Sequence, residues 1–334
     1  MVVIWKEGIN LDREFFNNFN ISLDLALEAR EIIRGQTGQE VPGARIDREK
    51  YQFAEVTTVN IEEKSAAAIM GKPIGTYITI EAPMIRQNNQ QAHREVTEVL
   101  SKQLLTLFDL PMDANILVVG LGNWNATPDS LGPNVIGKTL VTRHLFRYAP
   151  EELKGGMRPV SALAPGVLGI TGIETAEIIK GVAEKINPEL IIAVDSLAAR
   201  NVARIATTIQ ISDTGINPGS GIGNQRTGIN KETMGVRVIA IGVPTVVHAA
   251  VIARDAIDLY LAEENKTFTQ GQFNPALNTD TVINKVLEPF AGDLTVTPRE
   301  IDNLIKDTAQ IIAGGISLSL HPGIPTEDYA YYLH

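Results

Sequence analysis

The chain has 334 residues, 44% of them hydrophobic and 20% charged, with a formal charge of −10 and no cysteine. That length and balance describe one large or two ordinary globular domains, and they exclude disulfides, a thiol nucleophile and a thiolate metal site. The negative charge argues against a nucleic-acid surface, no apolar run approaches the roughly 18 residues of a membrane span, and Lys6, Glu7, Asp12, Arg13 and Glu14 interrupt the apolar start before a signal-peptide core forms.

Residues 1–24 set Asn17, Asn18 and Asn20 among Phe15, Phe16 and Phe19, aromatic anchors in a segment of weak helix propensity. They read as an arm that packs on the body or is removed. Residues 25–34 are helix formers throughout, with apolar positions at 25, 29, 32 and 33. Gly35, Gly38, Pro42 and Gly43 then mark a loop. Residues 52–61 and 75–80 alternate as strands do, flanking a short helix near 62–70. Apolar residues at 92, 96, 99, 100, 104 and 107 predict an amphipathic helix, on which His93 is a packing or surface residue.

The middle of the chain repeats a strand–helix rhythm. Strands are expected at 115–119, 158–163, 190–194, 207–212 and 236–241, with helices at 133–148, 173–186, 196–206 and 245–262. This alternation predicts an α/β fold with a mostly parallel twisted sheet and helices on both faces. Crossovers of one hand then place the loops after the strands along a common edge. Residues 263–297 read as an insertion with a short helix near 279–288. Thr297, Pro298 and Glu300 form a capping-box pattern for a last helix reaching about Gly314 or beyond, ended by His321-Pro322-Gly323. The aromatic tail 329–334 is expected to dock. Residues 25–334 are thus read as a single α/β domain with insertions at about 214–235 and 263–297.

Chemistry gathers after strand 115–119. Gly120, Leu121, Gly122 and Asn123 allow a sharp turn, Asp129 and Ser130 follow, and Pro133 suits the first turn of a helix. A carboxylate is therefore expected just outside the end of a buried strand, where ligands of open α/β sheets bind; the plainer reading makes Asp129 or Ser130 a helix cap. Asp195 ends strand 190–194 in the same way. A dinucleotide fingerprint fails because Asn125 stands where its third glycine should be, and Gly223 and Gly228 lack the Lys-Ser/Thr of a phosphate loop. Ser220 has no nucleophile elbow around it, and no H-E-x-x-H helix exists. What remains is the Asp129/Asp195 pair. Repulsion would raise the pKa of one member, so that the ionised carboxylate takes a proton from water while the other polarises a carbonyl, as in amide hydrolysis without a covalent intermediate. The alternative is a divalent metal held by both aspartates with His248 as third ligand. His248 and Asn123 are candidate supporting residues. The glycines at 166, 169 and 172 permit close approach of an extended peptide, and the Gly-rich loop 214–235 reads as a substrate cover.

The segments ILVVGLGNWNATPDSLGP, APGVLGITGIET, IIAVDSLAAR and TGINPGSGIGN, with DLALEARE near the start and SLHP late in the chain, resemble the germination protease family of bacterial spores. The likeness spans essentially the whole sequence. It implies a fold similar to the hydrogenase-maturation endopeptidases and an atypical aspartic-type endopeptidase. Such an enzyme degrades small acid-soluble spore proteins during germination and is made in the cytoplasm of the spore core as an inactive homotetrameric zymogen. The family's two catalytic aspartates map onto Asp129 and Asp195. Residues 1–24 become a propeptide removed by self-processing between Asp24 and Leu25, although Ser22-Leu23 stand where the family commonly has Arg-Thr. The resemblance calls for no cofactor, no metal, no direct nucleic-acid partner and no membrane. The alternatives are a metal-dependent peptidase and a non-catalytic metal- or peptide-binding protein on the same fold.

Overall fold

The computed structural model describes residues 13–19, 21, 25–37, 41–87, 89–148, 156–218, 226–267 and 279–324. Helix α1 (Arg13–Asn18) buries Phe15 and Phe16, the turn after it buries Phe19, and α2 (Ala26–Thr37) follows. Two strands of a meander come next, β1 (Ala44–Lys50) and β2 (Glu55–Ile61), then α3 (Lys64–Met70) and β3 (Gly75–Glu81). Helix α4 (Gln90–Leu105) is capped by Asn89, whose side chain accepts the N–H groups of Gln91 and Ala92. Strand β4 (Ile116–Gly120), α5 (Leu131–Ile136), α6 (Leu145–Tyr148), β5 (Val160–Leu163), α7 (Leu168–Thr171) and α8 (Thr175–Ile186) lead to β6 (Leu190–Ala199). The remainder is β7 (Thr208–Ser212), α9 (Lys231–Met234), β8 (Arg237–His248), α10 (Ala249–Thr267), α11 (Thr279–Leu287), β9 (Thr295–Val296) and α12 (Ile301–Leu320).

The nine strands among the described residues join one mixed sheet in the order β1-β2-β3-β7-β8-β6-β4-β5, with β9 added antiparallel to the end of β8. Only β5-β4-β6-β8 are mutually parallel, and every other pairing is antiparallel, so the sheet is not the mostly parallel one expected. The physical reason lies at 196–206, predicted to be a helix. Strand β6 instead runs on to Ala199, and only the single turn Val202–Arg204 separates it from β7. So short a connection cannot carry the chain back for a parallel strand, and β7 runs the other way. Strand β1 escaped the sequence reading because Arg45, Asp47, Arg48, Glu49 and Lys50 leave it no apolar alternation; those charges suit an edge strand.

The sheet is covered on both faces, and residue alternation along β4 and β6 separates them. Ile116, Val118, Leu190, Ile192 and Val194 share a core with α4, α5 and α12. Leu117, Val119, Ile191 and Ala193 pack with Ile179 and Ala183 of α8 and Met234 of α9. A third cluster places Ala26 and Ile33 of α2, with Met70 of α3, on Val59, Ile61 and Tyr77. Strand registers put this third cluster on the same face as the second.

Two more boundaries moved. The helix expected from 245 begins at Ala249, because Val243, Val246 and Val247 keep the β-branched chain in strand β8 through His248. The capping box at Thr297 does not form: its hydroxyl donates to the Thr245 carbonyl at 2.8 Å, and α12 starts at Ile301. That helix runs past Gly314 to Leu320 and stops at His321.

Candidate active site

Strand β4 delivers the chain into the turn that carries Asp129. Asn123 folds this turn: its N–H donates to the Asp129 carbonyl at 3.0 Å and its Oδ1 accepts the Asn125 N–H at 2.9 Å. Gly122 has φ +113°, and a Cβ there would overlap the Asp129 carbonyl oxygen and stand 3.2 Å from Asp129 Oδ1. Only glycine admits both the backbone angle and this approach. Ser130, at the N-cap of α5, turns its hydroxyl to the Thr127 carbonyl at 2.8 Å and makes no side-chain cap. The helix-cap reading therefore does not describe Ser130.

The Asp129 carboxyl is half-buried, and burial raises it from its ordinary 3.8 to about 6, against the opposing pull of the Asn123 backbone N–H and the Arg226 guanidinium. Burial, rather than the repulsion anticipated between two carboxylates, is the raising cause. Arg226 lies on the returning limb of the 214–235 loop, whose base is closed by paired backbone hydrogen bonds between Ile216 and Ile229 at 3.0 and 2.8 Å. The tip of that loop, 219–225, lies outside the described residues.

Asp195 is 5% exposed and sits within β6, not beyond its end. Its Oδ1 accepts the Ser196 N–H at 2.9 Å. Leu121 donates to the Val194 carbonyl at 2.8 Å, and the turn Thr127–Asp129 packs against β6 and β8. The fold thus brings the Asp129 turn onto the strand that carries Asp195. Across the sheet Asp195 pairs with Gly242, Gly242 with Gln210, and Gln210 with Thr79. This row lies between the second and third apolar clusters. On β8, Gly242 makes room for the Leu197 side chain, which a Cβ there would overlap. At its far side Gln210 Oε1 accepts the Ala26 N–H at 2.6 Å, so the start of α2 stands two strands from Asp195, about 10 Å across the sheet.

His248 is elsewhere. It follows Gly242 by six residues on β8, about 20 Å along the strand. Its Nδ1 accepts the Ala250 N–H at 3.1 Å, its Nε2 is 3.9 Å from Asp293, and its ring lies 6.3 Å from that of Phe19. Burial lowers its pKa, against the raising effects of Asp293 and Gly292. Among the described residues no three His, Cys, Asp or Glu side chains stand together to hold a metal. The arm docks at this distant end: Arg254 stacks over the Phe15 ring at 5.4 Å and Asn18 donates to Asp280 at 3.3 Å. Asp24 lies outside the described residues, whereas Leu25 is fully buried.

The sequence reading missed two features. One is Arg226, hidden in a Gly-rich loop with no periodicity to point it inward. The other is an ionic cluster around the buried Glu28, in which Arg204 meets Glu28 at 3.2 Å, Glu31 at 2.9 Å and Glu81 at 3.4 Å, and the Arg200 N–H donates to Glu28 Oε1 at 3.2 Å. Glu28 and Glu31 are polar positions of an amphipathic helix, which read as a solvated face until β7 and the 200–207 turn cover part of it.

The sequence model of the germination protease family matches residues 24–273 and 271–333. The chain belongs to the germination protease family. A germination protease of Clostridium perfringens (strain ATCC 13124) is 47% identical over 324 residues, covering 95% of this chain and 100% of its own. One of Caldanaerobacter subterraneus subsp. tengcongensis is 48% identical over 322 residues, covering 94% and 98%, and one of Bacillus cereus (strain G9842) is 38% identical over 372 residues, covering 98% and 100%. As a family member the chain is an endopeptidase with a role in germination, and no helix among the described residues is long and apolar enough to cross a membrane.

Proposed function

We propose that this germination protease is of the aspartic type and acts through Asp129 and Asp195. One observation carries the reading: the Asp129 carboxyl, raised by burial to about 6, is fixed by Gly122 and Asn123 on a turn packed against the strand of Asp195. A carboxyl with that pKa exchanges its proton near neutral pH, where general acid–base catalysis is most effective. In the reaction one carboxylate takes a proton from water as the oxygen attacks the peptide carbonyl carbon. The other carboxyl hydrogen-bonds the carbonyl oxygen, and the C–N bond breaks as the leaving nitrogen receives a proton. Asn123 shapes the Asp129 turn. His248, far along β8, has no part in these steps.

The finer reading follows the family resemblance. The substrates are small acid-soluble spore proteins in the spore core, the fold relates to that of the hydrogenase-maturation endopeptidases, and the assembly is a homotetramer. Residues 1–24 are a propeptide on a single domain of residues 25–334, released by self-processing between Asp24 and Leu25. Cleavage of a small acid-soluble spore protein by Asp129→Asn and Asp195→Asn variants, with and without chelator, tests this reading. Both variants are expected to fold, to assemble and to be inactive, and chelator is expected to leave the parent enzyme unaffected. Near-normal turnover by either variant overturns the paired-aspartate mechanism.

A further inference from the structure

Helix α2 begins with Leu25 at its N-cap, since the Leu25 carbonyl accepts the Ala29 N–H at 3.2 Å. Glu28 is then the third helical residue, the position from which an acid side chain reaches back to the backbone nitrogen of the N-cap residue. Glu28 is fully buried. Its Oε1 is held at 3.2 Å by Arg204 and at 3.2 Å by the Arg200 N–H, whereas its Oε2 is buried and makes no hydrogen bond. A buried carboxylate oxygen left unpaired is costly, and burial raises the Glu28 carboxyl to about 7 despite the cations of Arg204 and Arg200. The acids of this cluster are Glu28, Glu31, Glu81 and Asp255, with Glu55 near Glu81 and Asp258 near Asp255; the cations are Arg200 and Arg204, with Arg48 near Glu81 and Arg254 near Asp255.

Hydrolysis of the peptide bond before Leu25, the cut put forward under Proposed function and on which this inference rests, leaves an α-ammonium on the Leu25 nitrogen. The N-terminus of a helix disfavours a positive charge unless an acid balances it. We propose that the Leu25 α-ammonium created by processing pairs with Oε2 of Glu28, and so ties the new N-terminus through Glu28 to the Arg200 N–H at the end of β6, the strand that carries Asp195. Glu28 is a positioning residue in this scheme: it touches no substrate, and it acts by holding α2 on β6.

The test uses the full chain, with an exposed recognition sequence for a site-specific protease inserted between Asp24 and Leu25, so that cleavage after folding leaves Leu25 first. A second version leaves one extra glycine before Leu25, and each version is also made with Glu28→Gln. The α-amine of the Leu25 product is expected to react at least tenfold more slowly with an amine-acylating reagent at pH 7 than that of the glycine-extended product, and its melting midpoint and peptidase activity are expected to be higher. Glu28→Gln should erase these differences between the two products. Equal α-amine reactivity in all four products, or a difference that survives Glu28→Gln, overturns the pairing. Sequencing the N-terminus of the unaltered chain after its own processing checks the cleavage position separately, so a cut elsewhere would remove the biological setting without touching the result for the engineered Leu25 product.

Discussion

Replacing Asp129 with asparagine should stabilise the protein while removing its activity, and the size of the gain follows from the site. Burial holds the folded-state pKa at about 6 where the ordinary value is 3.8. As pH rises through roughly 4 to 6 the unfolded chain releases this proton before the folded one does, so stability falls across that window and the penalty is complete above it. Such a rise corresponds to about 3 kcal/mol, and residual contact with water reduces the expectation to about 2 kcal/mol. Asparagine keeps an acceptor for the Asn123 N–H and carries no charge to desolvate. Urea unfolding of parent and Asp129→Asn at pH 8 and pH 4.5 should therefore show the variant more stable by about 2 kcal/mol at pH 8, with most of the advantage gone at pH 4.5. A variant less stable than the parent at pH 8, or an advantage independent of pH, would refute the argument that burial of a carboxylate at this turn is what perturbs it.

Gly122→Ala should cost about 1–3 kcal/mol in backbone strain, and it should lower kcat at least tenfold by displacing the Asp129 turn; unfolding and turnover measured on one sample check both. Arg226→Met removes the cation that lowers the Asp129 pKa, so any limb of the pH–rate profile that reports ionisation of Asp129 should move to higher pH. Arg158 donates to the carbonyls of Leu110, Pro111, Ser319 and Leu320 at 2.8–3.4 Å around the end of α12, so Arg158→Met should cost about 3–5 kcal/mol and leave kcat of the folded fraction unchanged. Lysine should not restore that stability, because a single ammonium cannot span the four acceptors, and thermal unfolding of both variants decides it.

The parallel half of the fold was legible because its strands are short aliphatic runs, such as Ile116–Gly120, that only a buried sheet accommodates. Strands β2, β3, β7 and helices α3, α4 and α8 were likewise found close to where periodicity put them. The antiparallel half was misjudged through one segment. Ser196-Leu197-Ala198-Ala199 contains good helix formers, and local propensity favoured a helix there, but pairing with β8 over ten residues outweighs it. Asp195 consequently lies inside a strand, with its row neighbours Gly242 and Gln210 contributed by segments far away in the chain; no local pattern announces such a row. Asp129 was legible because glycines and a proline bracket it locally. His248 was misplaced for the reason that displaced Asp195: strand β8 extends past its expected end and carries the histidine with it.

The same extension of β6 decides how the start of α2 communicates with the site. The β6–β8 register shifts between Leu197 and Ala198, so Asp195 stands on the regular side of a bulge and Arg200 just beyond it. The extra residue of this bulge is Thr245 on β8, and Ala198 and Ala199 go on pairing with Val246 and Val247, so β6 stays in the ladder to its end. Asp195 keeps its register opposite Gly242, and just past the strand the Arg200 N–H turns to Glu28 at 3.2 Å. On the other side of the row, Gln210 reaches Ala26 at 2.6 Å from a strand paired to the same Gly242. The first turn of α2 is thus held from two directions by the strands that flank Gly242, one of which carries Asp195. Cleavage before Leu25, as proposed above, would alter the backbone nitrogen next to these two anchor points, and the junction, though the aromatic arm docks about 20 Å farther along β8, would then be the part of the N-terminal region best placed to change the chemistry at Asp195.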